Sequence, residues 1–368
     1  MKEGIKNERL MSLDTLRGLD MFFLMGFAVL VAAITRFFPN NSLAQIIGLQ
    51  MEHVEWNGLA DHDTIFPVFL FIAGISFPFS LAKQREHGHT EGQILYKTIK
   101  RGVILVLLGI MYNGFFNFDF ANLRIASVLG RIGLAWMFSA LLFMKFKMKV
   151  LTVIAPLILI GYWLAMWLIP GGTDPFSYEN NLVGIIDRAI LPGHLYENNF
   201  FDPEGLFSTI PAIVTAMLGM FTGVFIRLPE EKISGPKKCC YLVIAGIALL
   251  FIGYMWSLVF PLNKKLWTSS FVCVVAGYPM LVFALLYYVI DIKQHCRWTL
   301  FFRVIGMNPI TIYLTMRIID YGQVSNFFLH GLTNMCGAWT DVINAVGYII
   351  VGWLYLYFLY SKKIFLKV

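Results

Sequence analysis

Stretches of about 20 apolar residues recur from one end of this chain to the other, each long enough to cross about 30 Å of hydrocarbon as a helix. Inside lipid the backbone has to satisfy its own hydrogen bonds, which leaves helices and closed barrels. A barrel would alternate in short segments. Val103-Ile104-Leu105-Val106-Leu107-Leu108 and Leu281-Val282-Phe283-Ala284-Leu285-Leu286 are instead continuous apolar runs. The pattern predicts an all-α polytopic membrane bundle. With 58% hydrophobic and only 14% charged residues, the chain lacks the polar surface of an ordinary soluble domain, where about 25% of residues are charged.

About ten spans are expected, at 19–38, 63–82, 99–117, 124–144, 149–169, 206–226, 239–260, 268–290, 301–320 and 343–361. The first has Lys2, Lys6 and Arg9 before its apolar core, as a signal peptide would. That core is longer than the 7–15 residues typical of a signal peptide, so it reads as a retained span. The net charge of +7 is not gathered into one patch, which argues against nucleic acid as a partner. Every second connection is basic: Arg17, Lys83, Arg85, Lys97, Lys100 and Arg101, then Lys145, Lys147 and Lys149, then Arg227, Lys232, Lys237 and Lys238, then Lys293, Arg297 and Arg303, and finally Lys362, Lys363 and Lys367. The alternate ones hold Glu52, Glu55, Asp61 and Asp63, then Asp174, Glu179, Asp187, Glu197, Asp202 and Glu204. The positive-inside rule then puts both termini in the cytoplasm and segments 39–62 and 170–205 outside, in a multi-pass protein of the cytoplasmic (inner) membrane. Lys264-Lys265 runs against the pattern. No soluble domain, low-complexity tract or internal repeat is visible, so 1–368 reads as one transmembrane domain. The five cysteines show neither zinc-site spacing nor a disulfide framework, and no metal is expected.

Chemistry concentrates in Met51-Glu52-His53-Val54-Glu55-Trp56-Asn57-Gly58-Leu59-Ala60-Asp61-His62-Asp63. A helix over 52–57 would put His53, Trp56 and Asn57 on one face. A histidine near carboxylates is held in one tautomer and becomes a better base, which acyl transfer needs. The competing reading is an interfacial loop with a belt tryptophan and helix-capping carboxylates. Asp20, Arg124, Arg131, Asn308, Arg317 and Asp320 fall within apolar segments, where charge is costly and faces a cavity or a partner. Arg17 and Asp20, one turn apart, are a candidate pair. Asp202-Pro203-Glu204-Gly205 has the form of a helix start, with an N-cap acid and a first-turn proline. Gly306-Met307-Asn308-Pro309 interrupts the ninth span.

These residues also carry a resemblance. Arg9-Leu10-Met11-Ser12-Leu13-Asp14-Thr15-Leu16-Arg17-Gly18 resembles the R-L-x-S-x-D-x-x-R-G opening of the transmembrane acyltransferases related to heparan-alpha-glucosaminide N-acetyltransferase. His53-Val54-Glu55-Trp56-Asn57-Gly58 with Asp63-Thr64-Ile65-Phe66-Pro67 is similar to that family's H-x-x-W-N-G…D-x-x-F-P block. Arg124-Ile125-Ala126-Ser127-Val128-Leu129-Gly130-Arg131-Ile132-Gly133 is similar to its R-I-x-x-V-L-x-R-I-G, while the Asp202–Gly205 turn and Gly306-Met307-Asn308 resemble its bacterial branch. The resemblance implies acetylation of an amino sugar on the far side of the membrane from cytoplasmic acetyl-CoA, with His53 as the catalytic histidine. Human-type members also use an asparagine in the first span, where this chain has Ala28; Asn40 and Asn41 would substitute only if their loop folds back.

The reading is an acetyl-CoA-dependent acyltransferase with a sugar acceptor, embedded in a lipid bilayer and compatible with a homodimer. His53 acts as base or nucleophile, Asp63 supports it, and Asn57 donates to the oxyanion. Glu52, Glu55, Trp56, Arg124, Arg131 and Asn308 are the candidate substrate contacts, Arg131 for a CoA phosphate or a structural carboxylate. The alternatives are a secondary transporter of a sugar or lipid, and a scaffold without chemistry.

Overall fold

The computed structural model describes residues 10–169, 174–196 and 200–366. Lys2, Lys6, Arg9, Glu197 and Lys367 lie outside them. Among the described residues the regular structure is helical. In chain order α1 (Met11–Phe22) continues through a π-helical turn into α2 (Ala28–Thr35), followed by α3 (Ser42–Gln50), α4 (Asp61–Glu86), α5 (Glu91–Tyr112), α6 (Val128–Lys145) and α7 (Met148–Leu168). Then come α8 (Leu182–Ile190), α9 (Leu206–Ile226), α10 (Gly235–Trp256), α11 (Ser269–Leu286), α12 (Leu300–Gly306), α13 (Pro309–Ile318), α14 (Tyr321–Cys336) and α15 (Thr340–Ser361).

Eight described segments are long and apolar enough to span by those criteria alone. The third expected span is α5, whose first half carries Glu91, Lys97, Lys100 and Arg101. The ninth departs from expectation. Residues 301–320 do not form one helix, because Pro309 opens a new helix after Asn308 and Asp320 caps another by accepting from Gln323 N at 2.9 Å. The returning pass is α13 and α14 together, antiparallel to α15. Asn308 bonds Ile364 O and Leu366 N at the C-terminal end of α15 (3.0 and 3.3 Å), and Thr340 Oγ1 donates to Thr333 O at its N-terminal end (3.0 Å). α12 instead lies antiparallel on α1, with the Cα of Gly18 against the Phe302 carbonyl and that of Gly306 against the Asp14 carbonyl. A Cβ at either glycine would fall 1.8 or 2.0 Å from those oxygens.

The core lies between α4, α6, α9 and α11, around Leu70, Trp136, Met217 and Phe271. At one end of the bundle gather the connections 36–60, 113–127, 174–196, 200–205, 257–268 and the α14–α15 turn, with Glu52, Glu55, Asp61, Asp63, Asp174, Glu179, Asp187, Asp202 and Glu204. Lys83, Arg85, Lys97, Arg227, Lys293 and Lys362 lie at the other. These are called the acidic and the basic end. Arg17 does not pair with Asp20: it reaches Asp14 (3.3 Å), Ser76 Oγ (3.0 Å) and Gly306 O (3.3 Å), while Asp20 is buried with one carboxylate oxygen lacking a partner.

Candidate active site

At the acidic end, residues 51–60 form an irregular loop rather than a helix. The loop is pinned along its length: Trp56 Nε1 donates to Phe176 O (3.0 Å), Gly58 N to Leu262 O (2.8 Å), and Asn57 Oδ1 accepts from Asn263 (3.2 Å). His53 is thereby laid over the first turn of α4, and its Nδ1 is 2.7 Å from Asp63 Oδ1. Asp63 is 3% exposed in its side chain, His53 51%. The other Asp63 oxygen accepts from Val54 N and Ala60 N, each 3.3 Å, so this carboxylate caps α4 and orients His53 at once. Because Asp63 is acceptor-only when ionised, Nδ1 is the protonated nitrogen and Nε2 keeps its lone pair for a substrate proton.

Lys264 completes the cluster, 3.2 Å from Asp63 Oδ1 and 3.2 Å from His53 Nδ1. With Nδ1 carrying its hydrogen toward Asp63, the carboxylate takes both donors. Burial pulls Lys264 below the usual lysine range, opposed by Asp63 and Glu204. Of the basic pair that ran against the sequence pattern, Lys264 is thus paired with a buried carboxylate, and Lys265 lines the cavity beside it.

Beyond His53 opens a cavity of about 410 Å³, bounded by Glu55, Trp56, Phe66, Arg124, Arg131, Tyr196, Glu204 and Trp267 among others. Arg124 holds Asp202 through two bonds (2.7 and 2.6 Å) and also reaches Glu204. Its guanidinium lies 4.6 Å from the centre of the Tyr196 ring. Burial would lower this arginine, but the two carboxylates outweigh it and hold Arg124 above the ordinary value. Arg131, 3% exposed, stacks 4.7 Å over Trp267 and bonds Ser208, with its Nε lacking a partner. Trp267 has a left-handed backbone (φ 51°), unusual for a bulky residue, and donates to Thr215 (3.2 Å).

No family model matches the chain. Human heparan-alpha-glucosaminide N-acetyltransferase is 28% identical over 98% of this chain, and the mouse protein of that name is 27% identical over 86%. The chain is a distant homologue of these proteins. It spans 60% and 56% of their lengths.

The structure gathers most of the residues picked out in this homologue's sequence and disperses the rest. His53, Asp63, Glu55, Trp56, Arg124 and Arg131 meet at the cavity. Asn57 is turned to Asn263 and does not line it, so His53, Trp56 and Asn57 share no helical face. Glu52 lines a different cavity. Asn308 sits at the basic end, tying α13 to the chain after α15. Asn41 caps α3 through Leu43 N (2.9 Å) and Ala44 N (3.2 Å), so it does not stand in for an asparagine at Ala28. Asp202 is not the N-cap of α9 either, and Pro203 is not its first residue, because the N-cap is Gly205. That helix begins at Leu206, whose N–H donates to the buried Asp187 (3.1 Å), while Asp202 and Glu204 serve Arg124. Sequence reasoning missed Lys264, Tyr196, Asp187 and Trp267. Lys264 had a signal, as a basic pair on the acidic side.

Proposed function

We propose that this protein is a membrane-embedded acyltransferase that moves an acyl group, acetyl by homology, from acyl-CoA at the basic end to an amino sugar at the acidic end. In this reading the basic end faces the cytoplasm. The observation that carries it is the His53–Asp63 pair at the mouth of a cavity. His53 takes the proton of the acceptor amine through Nε2 as the new N–C bond forms and the C–S bond breaks, and the proton passes on to the departing thiolate. Asp63 fixes the ring and balances the charge that develops on it. Asn57 is not the oxyanion donor in this arrangement; Arg131 and Lys264 are among the cations that line the cavity and could take that role.

A donor on the opposite side would need phosphate-binding groups there, and the cations at the basic end support that part of the reading. Two adjoining hollows of about 370 and 270 Å³ at the basic end share Phe77, Ser80, Arg101 and Trp136, and between them add Arg17, Lys97 and Lys100. Arg101 stacks 4.5 Å over Trp136 and has an Nε without a partner, as fits a guanidinium kept for a phosphate. The walls run on to the outer cavity. On α6, Arg131 lines one and Trp136 the other, a helical rise of about 7.5 Å; on α4, Phe66 lines one and Phe69 the other.

The test is transfer from labelled acetyl-CoA to glucosamine in membranes. His53→Ala is expected to lose roughly 10²–10⁴-fold in rate with acetyl-CoA binding retained, and Asp63→Asn to fall between it and the parent. His62, the next histidine in the chain, cannot serve as the control, since its ring lies 4.5 Å from that of His53. His87, exposed at the basic end, replaces it. Equal rates for His53→Ala and His87→Ala would sink the mechanism.

A further inference from the structure

His53 and His62 form a two-ring wall, and the hollow on the far side of it is larger than the one described above. His62 lines a cavity of about 870 Å³ bounded by α2, α14 and α15, with Glu52 at its rim. One side is built of small apolar residues on α2, Ala28, Val29, Ala32 and Ala33, and the other of Ala345 and Tyr348 on α15. The charged groups and His62 sit together at the acidic end, with Asn344 and Asn326 farther along α15 and α14. Val29 is 63% exposed within a spanning segment, so this wall meets lipid, and the cavity opens sideways toward the bilayer. The space arises at the π-helical turn Phe23–Phe27, where Gly26 has φ 111°, a conformation that glycine alone takes readily. Such turns recur at functional sites.

The charges in this cavity are unequal. Arg36 and Asp341 neutralise one another at 3.4 Å. Glu52 has no ion pair among the described residues, and a ring nitrogen of His62, Nδ1, has no hydrogen-bond partner. A carboxylate and an imidazole lone pair ask for N–H donors. An apolar trough open to lipid asks for hydrocarbon.

We infer that this cavity holds the acceptor, and that the acceptor is an amine-bearing amphiphile: an amino sugar on a hydrocarbon chain, its chain along α2 and its head at Glu52 and the histidine pair. The inference rests on the acyltransferase reading, because it places the acceptor on the opposite side of His53 from the donor's cavity. A free sugar would leave the trough on α2 without a purpose.

Protein in lipid nanodiscs is photo-cross-linked with an alkyl glucosaminide bearing a diazirine in its chain, and the adducts are mapped by mass spectrometry. Adducts are expected within 28–36 and 341–348, displaced by dodecyl glucosaminide and not by dodecyl glucoside. Ala32→Trp fills the trough and should abolish them while acetyl-CoA binding stays as in the parent. Glu52→Gln, at an exposed position, should raise the KM for dodecyl glucosaminide about tenfold. Adducts scattered over the lipid-facing helices and untouched by Ala32→Trp would overturn the inference, as would equal KM values for glucosamine and dodecyl glucosaminide, and both results leave acyl transfer standing. Adducts in the trough with no transfer to either acceptor would keep the amphiphile site and remove the acyltransferase reading instead.

Discussion

Arg124 grips Asp202 through two bonds of 2.7 and 2.6 Å across 78 positions of sequence, tying the connection between α5 and α6 to the turn before α9. The carboxylate is fully buried and the guanidinium 18% exposed in its side chain, so the pair is not a surface ornament. Lysine cannot reproduce the fork. Arg124→Lys is expected to lower the melting temperature of the purified protein and to loosen the wall at Tyr196. Arg124→Ala, which strands Asp202, should cost about 3–5 kcal/mol. An unchanged melting temperature in both would show that the fork does not hold the site.

Asp187 gives a pH signature. Burial raises its carboxyl from 3.8 to about 6, against backbone N–H groups and Arg131 that pull it down. A folded-state value above the unfolded one means the fold binds the extra proton. Its contribution is therefore complete below about pH 4 and is lost as pH rises through 6, by about 3 kcal/mol at most. Asp187→Asn keeps an oxygen for Leu206 N and removes the titration. Melting temperatures between pH 4 and 7 should diverge, the parent falling relative to the variant as pH rises. Parallel curves would place the titration elsewhere.

Arg101 is the sharpest probe of the donor side. Arg101→Gln keeps much of the volume and removes the charge, and should weaken acetyl-CoA binding by roughly 10–100-fold, the range of one hydrogen bond to a charged group. Dephospho-CoA, which lacks the 3′-phosphate, would tell whether that phosphate is the one it meets. Binding equal to the parent's by isothermal titration would move the donor out of the basic hollows.

Sidedness is checked by single cysteines in a background without the native five. Ser42→Cys, exposed in the first turn of α3, should react with an impermeant maleimide on intact cells, and Glu231→Cys, between α9 and α10, only after lysis. The reverse pattern would turn the bundle over, and with it the direction of transfer.

The helical bundle was legible because apolar runs of membrane length leave the backbone no other solution, and the two ends were legible because charge alternates from one connection to the next. His53 and Asp63 were legible as neighbours in a polar loop before a long span. What the sequence hid was distance. Nothing local in Asp202-Pro203-Glu204 says that Arg124 takes its carboxylates, or that Asp187 caps α9 from another helix. Asn308 shows the converse: a polar residue beside a proline looks the same from sequence whether it binds a ligand or, as here, holds the chain after α15. The ninth pass was misjudged because hydropathy is blind to direction, and α12 folds back on α1 before α13 sets out.

The helices that wall both hollows set how turnover can proceed. α4 and α6 each run as one helix beside the basic pair of hollows and the His53 cavity, so in the proposed reaction they set the separation between its two ends. A carrier has to expose one site to each side in turn and needs a hinge to do it. Here the reactant would thread and the protein would stand still, so locking α4 to α6 by a cross-link should arrest a transporter and spare this one.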